Sequence, residues 1–178
     1  CVNLATSGQA RMDFYIAEAM ASIEDAICYV IDPVPNCTKD RCDTATYDFI
    51  NILRTLRPEV PIVMVEGLMY PYTRHSSYHA EYLPQKNEGF RRGYEQHKAE
   101  NPKGMYYMTW EGQTGPEMEG TVDGIHMTDY GFRAYADLLE VVLKEALDDT
   151  GVEYDVEPAY CIVRKKTFWE RLVDFVKG

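Results

Sequence analysis

One short segment of this chain places a carboxylate and an imidazole at a spacing that can do chemistry. Asp123 lies three residues before His126, and Gly124 between them allows a tight turn. The carboxylate can accept a hydrogen bond from Nδ1 of the imidazole and leave Nε2 free as a general base. That pair is two thirds of a Ser-His-Asp triad, whose members occur in any chain order. Spacing alone favours a plainer interpretation, in which a helix-capping Asp lies beside a surface His.

Two other residues can supply hydrogen-bond donors to an anion. Gly8 follows the apolar run Val2–Ala5 and can present its backbone N–H in a turn from a strand to a helix. Asn36 follows Pro33 and Pro35, which stiffen the approach, and its side-chain amide can donate to a developing oxyanion. Each also has a structural explanation, because turns require glycine and asparagine often caps helices.

The sequence gives little support for a metal site. Cys37 and Cys42 are spaced for a local disulfide or for half of a metal site, but no second ligand pair follows at metal spacing. His75 and His79 form an i, i+4 pair without the accompanying Glu of the zincins. We therefore expect no metal ligands in this chain.

The composition excludes several classes of partner. The 178 residues are 46% hydrophobic and 26% charged, which is typical of one folded domain with at most a short appendage. The net charge of -11 repels phosphate backbones and anionic membranes, so we expect no nucleic-acid partner. No stretch approaches the roughly 18 apolar residues of a membrane span. Residues 1–10 show no signal-peptide pattern, and the compartment is left undetermined.

Apolar runs of strand length alternate with segments of helical periodicity. The predicted strands are apolar nearly throughout, as in sheets covered on both faces. This alternation predicts a parallel sheet with helices on both faces, and ligands bind beyond the carboxyl ends of such strands. We expect Asp43 or Thr44 to cap the second helix. The predicted strands are Val2–Ala5, Ala26–Ile31, Pro61–Val65 and Met105–Thr109, and the predicted helices are Met12–Ile23, Asp43–Leu56, Leu83–Glu100 and Thr128–Leu147.

Two segments do not follow the alternation. Residues Gly67–Leu83 are predicted to form a long loop that is rich in tyrosine and histidine. After Asp149 we expect an appendage with a short strand at Tyr160–Val163 and an amphipathic helix at Phe168–Val176.

In their order, these segments resemble the conserved blocks of the SGNH (GDSL-type) hydrolases. The run 2–8, Val-Asn-Leu-Ala-Thr-Ser-Gly, looks like the second block, which implies that Gly8 contributes an oxyanion-hole N–H. The segment 32–36 occupies the place of the third block, normally Gly-x-Asn-Asp, so the oxyanion asparagine carries over onto Asn36 although the flanking residues differ. The tetrapeptide 123–126 matches the fifth block, Asp-x-x-His, and implies that Asp123 and His126 are catalytic.

The family's first block, which carries the nucleophilic serine, has no match in this sequence. The resemblance therefore implies a serine upstream of this chain, with Ser7 or a serine of the long loop (Ser76, Ser77) as weaker candidates. In the family, the strand before that serine lies in the middle of the sheet. Its place could be filled by Tyr160–Val163, or by a strand exchanged between copies in a homo-oligomer.

The resemblance implies a fold and an activity. The fold is a three-layer α/β/α sandwich with a mainly parallel, flavodoxin-like sheet over residues 1–148, followed by an appendage over 149–178. The activity is hydrolysis of a carboxylic ester through an acyl-enzyme, without metal or organic cofactor, on a small-molecule or glycan ester such as an acylated sugar. Two alternatives stay open: a non-catalytic SGNH-like domain that binds a glycan or a protein, and a flavodoxin-like module that binds a phosphate or another anion at residues 6–9.

Overall fold

The sheet consists of parallel strands in the order in which they follow along the chain. The computed structural model describes residues 1–5 and 7–151. Within them, β1 (Tyr29–Ile31), β2 (Ile62–Val65) and β3 (Met105–Met108) form a sheet in the order β1-β2-β3. Tyr29 aligns with Ile62, and Ile62 aligns with Met105. All residues of β2 are fully buried, as expected for a strand that is covered on both faces.

Helices cover the two faces of the sheet and complete three layers. Because successive strand residues point to opposite faces, Ile62 and Met64 enter one core, whereas Val63 and Val65 enter another. The first core also contains residues of the first three helices, and the fourth helix covers the second core. The α/β/α sandwich expected from the sequence is thus confirmed. The helices are α1 (Phe14–Ala21), α2 (Lys39–Leu56), α3 (Ser77–Glu100) and α4 (Asp129–Asp148), with short 3-10 helices at Val34–Asn36 and Pro71–His75.

Two helices begin earlier than the sequence predicts. Thr38 caps α2 by accepting a hydrogen bond from the backbone N–H of Arg41 at 3.2 Å, so the expected cap at Asp43 or Thr44 is wrong. The helix α3 begins after Ser76 and continues through Pro84. The predicted loop Gly67–Leu83 is therefore shorter and ends where α3 begins.

The predicted strand at Val2–Ala5 is wrong. Residues 1–5 make no strand pairing and are exposed, with Val2 at 64%. Among the described residues β1 pairs only with β2, so its outer edge has no strand partner. An apolar groove of about 580 Å³, the β1 groove, lies between residues 1–5 and this edge. A run of apolar residues becomes a strand only when a neighbouring strand accepts its backbone hydrogen bonds, and here the groove separates the two segments.

The end of the chain is described only to residue 151. The strand predicted at Tyr160–Val163 and the helix predicted at Phe168–Val176 lie outside the described residues. The helix α4 ends at Asp148, and the proposed division into 1–148 and 149–178 stays a prediction. None of the described helices combines the length and apolar character needed to cross a bilayer.

Candidate functional site

A hydrogen bond joins Asp123 to His126 in the loop before α4. His126 Nδ1 lies 2.7 Å from Asp123 Oδ2. Asp123 Oδ1 accepts the backbone N–H groups of His126 at 2.8 Å and of Ile125 at 2.9 Å. These hydrogen bonds, first of all the one from the His126 backbone, lower the pKa of Asp123 below its usual range and keep it ionised. Because Asp123 occupies Nδ1 and the imidazole side chain is 79% exposed, Nε2 is available to a substrate.

The backbone around this pair is held by close packing against the first turn of α4. The loop folds back on itself through an antiparallel bridge between Thr121 and Met127. Thr128 caps α4, and its backbone N–H donates to the carbonyl of Gly120 at 2.9 Å. A Cβ at Gly131 would lie 2.0 Å from the Gly120 carbonyl oxygen, so only glycine permits this approach. The position of His126 thus depends on how α4 begins.

The other two predicted site residues lie next to each other. Gly8 adopts a φ of +67°, and a Cβ built on it would be 4.0 Å from Asn36 Oδ1. Asn36 ends the 3-10 helix after β1, and its exposed side chain makes no hydrogen bond among the described residues. Gly8 and Asn36 therefore lie close enough to contact the same bound group. The sequence predicts that Gly8 lies in a turn leading directly into a helix. In the structure it does not, because α1 begins only at Phe14.

An aromatic cluster, defined as Tyr70, Tyr72, Tyr78, His79 and Tyr82, borders the Asp123–His126 turn. Tyr72 lies 5.3 Å from Tyr70 and 4.9 Å from His79 between ring centroids. The rings of Tyr78 and Tyr82 are stacked at 5.3 Å. Burial, and after it the charge of Asp123, raises the pKa of Tyr72. The cluster comes from Tyr70, the 3-10 helix Pro71–His75 that follows it, and the first turns of α3, all within the segment predicted to be a loop.

A buried carboxylate organises the carboxyl edge of the sheet, and sequence reasoning missed its role. Glu66 follows β2 and is 0% exposed. Its carboxylate accepts hydrogen bonds from Arg91 Nε at 2.9 Å, Tyr107 OH at 2.9 Å and the Trp110 backbone N–H at 3.1 Å. Gln113 Nε2 donates to the Glu66 backbone carbonyl at 2.8 Å. A charged residue directly after a fully apolar strand was the available signal, but its partners come from distant segments.

Among the described residues, no serine hydroxyl is hydrogen-bonded to His126. Ser7 is exposed in the turn before Gly8. Ser76 Oγ lies 2.8 Å from His79 Nδ1, where it also caps α3. In the same part of the chain, no cluster of three or more His, Cys, Asp or Glu residues could hold a metal ion.

Comparison with known proteins gives one family and one similar structure. Residues 1–144 match the model of the GDSL-like lipase/acylhydrolase family. A crystal structure from Bacteroides ovatus, described as that of a GDSL-like lipase, is 27% identical to this chain with a TM-score of 0.78. The match covers 87% of this chain and 45% of the Bacteroides protein, so the chain spans less than half of that protein's length. Among curated proteins, none shows significant similarity to this sequence.

Proposed function

Because the chain belongs to the GDSL-like lipase/acylhydrolase family, we propose that it is a serine-type hydrolase of carboxylic esters. The observation that carries this proposal is the hydrogen bond between Asp123 and His126, which leaves the exposed imidazole free at Nε2. Ester hydrolysis needs a general base at this position, since a serine hydroxyl is a weak nucleophile until its proton is removed.

The proposed reaction has two halves. In the first, His126 Nε2 takes the proton of the serine hydroxyl while the serine oxygen attacks the ester carbonyl. The Gly8 N–H and the Asn36 amide hold the oxyanion of the tetrahedral intermediate. When the intermediate collapses, the ester C–O bond breaks and His126 gives its proton to the leaving alcohol. In the second half, His126 deprotonates water, which attacks the acyl carbonyl. The bond between the acyl carbon and the serine oxygen then breaks, His126 returns its proton to that oxygen, and the acid is released. Asp123 keeps the imidazole in the required tautomer throughout.

The nucleophile in this proposal is a serine upstream of this chain, carried by a strand that pairs with β1. Three features support a strand at that place: the outer edge of β1 has no partner among the described residues, the β1 groove lies beside it, and Val30 is 39% exposed in the middle of β1. In a parallel sheet such a strand would end at the same edge as β1, near Asn36. A strand exchanged with a second copy of the chain is the alternative source, and it would make the active form a homo-oligomer.

A glycan ester is the substrate that we propose. The aromatic cluster borders the catalytic turn, and Tyr78 is 63% exposed while its ring stacks on Tyr82. Sugar rings have apolar C–H faces that pack against exposed aromatic rings, whereas their hydroxyl groups stay hydrated. An acylated sugar held on this surface would place its ester beside His126.

The proposal is tested with the whole natural protein and p-nitrophenyl acetate. We expect His126→Ala to lower kcat/KM by at least about 10²–10⁴-fold, the usual contribution of a general base. The matched control is His75→Ala, because His75 is an exposed histidine in the neighbouring 3-10 helix and lies outside the pair. Hydrolysis that survives His126→Ala contradicts the mechanism. An acetylated xylan oligosaccharide then tests the glycan proposal, with Tyr78→Ala as the variant expected to raise KM.

The source of the nucleophile is tested by labelling with a fluorophosphonate, which reacts with activated serines. A labelled peptide from upstream of residue 1 supports the proposed source. Label on Ser7 or Ser76 would place the nucleophile within the chain and refute the upstream strand, while the hydrolase proposal stands. No label and no turnover would favour a non-catalytic domain that binds glycan or protein. That second candidate rests on the missing serine contact to His126 among the described residues.

A further inference from the structure

Two cysteines lie at the start of α2, outside the proposed catalytic machinery. Cys37 directly precedes the helix cap Thr38, and Cys42 occupies the fourth position of α2. Side chains at these two positions pack against each other at many helix starts, where apolar residues form the hydrophobic staple. Here both are cysteines, 5% and 0% exposed, and both belong to the first core.

The surroundings of the two thiols differ from those of an inert buried cysteine. Lys86 is 5% exposed, lies close to both thiols, and its ammonium donates to the carbonyl of Pro35 at 3.3 Å. The neighbouring Cys42 thiol, with smaller contributions from Lys86 and Arg41, lowers the pKa of Cys37, although burial opposes this shift. The Cys37 thiol, and after it burial, raises the pKa of Cys42. One thiol is thereby prepared as a nucleophile and the other as its partner.

The other groups near the two cysteines leave the pKa of Cys37 lowered and the pKa of Cys42 raised. Asp13 acts on Cys37 in the opposite direction, and its contribution comes last among the charged neighbours. When protonated, Cys37 Sγ donates to the carbonyl of Ala10 at 3.7 Å, which is a weak contact. By contrast, burial raises the pKa of Cys28 to about 11, so the Cys28 thiol stays protonated at neutral pH. Cys28 is therefore a natural internal control.

We propose that Cys37 and Cys42 are a redox-sensitive pair that closes to a disulfide on reaction with hydrogen peroxide. The Cys37 thiolate attacks one peroxide oxygen, the O–O bond breaks, hydroxide leaves, and Cys37 becomes a sulfenic acid. The sulfur of Cys42 then attacks the Cys37 sulfur, and the S–O bond breaks. The Cys42 proton and the departing hydroxide form water. Two thiols are oxidised to one disulfide, and peroxide is reduced to water.

This pair goes beyond the proposed hydrolase function and does not depend on it. It also has a structural consequence, because Cys37 directly follows Asn36. A disulfide would tie the end of the 3-10 helix Val34–Asn36 covalently to the first turn of α2. Any chemistry at Asn36 would then respond to the redox state of the two thiols.

The experiment uses a full-length variant in which Cys1, Cys28 and Cys161 are replaced by serine, leaving only this pair. After treatment with hydrogen peroxide, the protein is denatured, alkylated with N-ethylmaleimide and weighed intact. We expect a loss of two hydrogen atoms and no alkylation, both reversed by dithiothreitol. Adding Cys42→Ser to this variant should stop the reaction at a sulfenic acid that dimedone traps on Cys37. Two alkylated thiols after peroxide treatment, or direct over-oxidation of Cys37, would overturn the proposal.

Peptide mapping of the wild-type protein gives an independent readout if the variant does not fold. Trypsin cleaves after Lys39 and after Arg41, so Cys37 and Cys42 lie on separate peptides unless a disulfide joins them. We expect the joined peptides after peroxide treatment, with Cys28 still alkylated. A Cys28–Cys37 disulfide, or no joined peptides, would count against the pair.

Discussion

The ring of Tyr72 packs directly against Gly124, inside the turn that joins Asp123 to His126. A Cβ at residue 124 would lie 2.6 Å from Tyr72 Cδ1, and Gly124 adopts a φ of +88°. Both observations require glycine at this position. The aromatic cluster is thus a wall of the turn, and the geometry of the proposed catalytic pair depends on residues about fifty positions earlier in the chain.

The replacement Gly124→Ala should therefore impair catalysis without removing a catalytic group. The left-handed backbone costs an alanine about 1–2 kcal/mol, and its methyl group would overlap the Tyr72 ring. We expect a lower kcat for p-nitrophenyl acetate, because the imidazole is displaced. Combining Gly124→Ala with Tyr72→Ala should recover the part of the loss that is due to overlap. An unchanged kcat in the Gly124→Ala variant would show that the turn accommodates alanine without displacing the imidazole.

The side chain of Asn36 should act on the transition state rather than on substrate binding. Removing one oxyanion donor typically costs about 10²–10³-fold in rate. For Asn36→Ala we expect a loss of that size in kcat, with KM changed far less. Asn101→Ala is the matched control, because Asn101 is an exposed asparagine at the end of α3. A change confined to KM would assign Asn36 to ground-state binding instead.

Adjacent arginines of α3 should differ strongly in their contribution to stability. Arg91 is hydrogen-bonded to the buried Glu66, whereas Arg92 pairs with Asp43 at a site where the arginine side chain is 60% exposed. Replacing Arg91 by Met leaves a buried carboxylate without its cation, which costs about 3–5 kcal/mol of unfolding free energy. For Arg92→Met we expect less than about 1 kcal/mol. Urea unfolding of both variants measures the difference, and equal losses would contradict it.

The buried His97 should make the protein less stable in mildly acidic solution. Its ring is 0% exposed, and neither ring nitrogen has a hydrogen-bond partner among the described residues. Burial, and after it the charge of Arg54, lowers the pKa of His97 in the folded chain. The unfolded chain, with a His pKa of about 6.5, therefore binds the proton more readily. The contribution of neutral His97 to the free energy of unfolding is therefore complete above that pH, and it is lost as the pH falls below it.

Urea unfolding between about pH 7 and pH 5 measures this loss, which cannot exceed about 1.4 kcal/mol per pH unit for one proton. The variant His97→Leu should flatten the dependence in this range. The matched control is His75→Leu, because His75 is an exposed histidine. Asp123 does not interfere, since its lowered pKa places its titration at more acidic pH. An unchanged slope in His97→Leu would assign the acid sensitivity to other groups.

Local patterns in the sequence were enough to predict most of the elements and the architecture. The apolar runs around β1, β2 and β3 and the periodic segments of α1 to α4 are present, because burial on one or both faces imposes those patterns directly. The spacing also allowed the Asp123–His126 hydrogen bond, since three residues and one turn join its two partners, although spacing alone favoured a capping aspartate beside a surface histidine. The start of α2 at Lys39 was missed because Thr38 and Asp43 are both plausible caps, and only packing selects one.

By itself, the sequence determined the spacing that joins Asp123 to His126 and the layers that surround the sheet. Only the tertiary structure decided that residues 1–5 lie beside a groove instead of pairing with β1, that Glu66 binds Arg91 and Tyr107, and that Tyr72 packs against the turn between Asp123 and His126. The physical reason is the range of the interactions. Periodicity and capping act within a few residues, whereas strand pairing, buried charge pairs and close glycine contacts join segments that are distant in the chain.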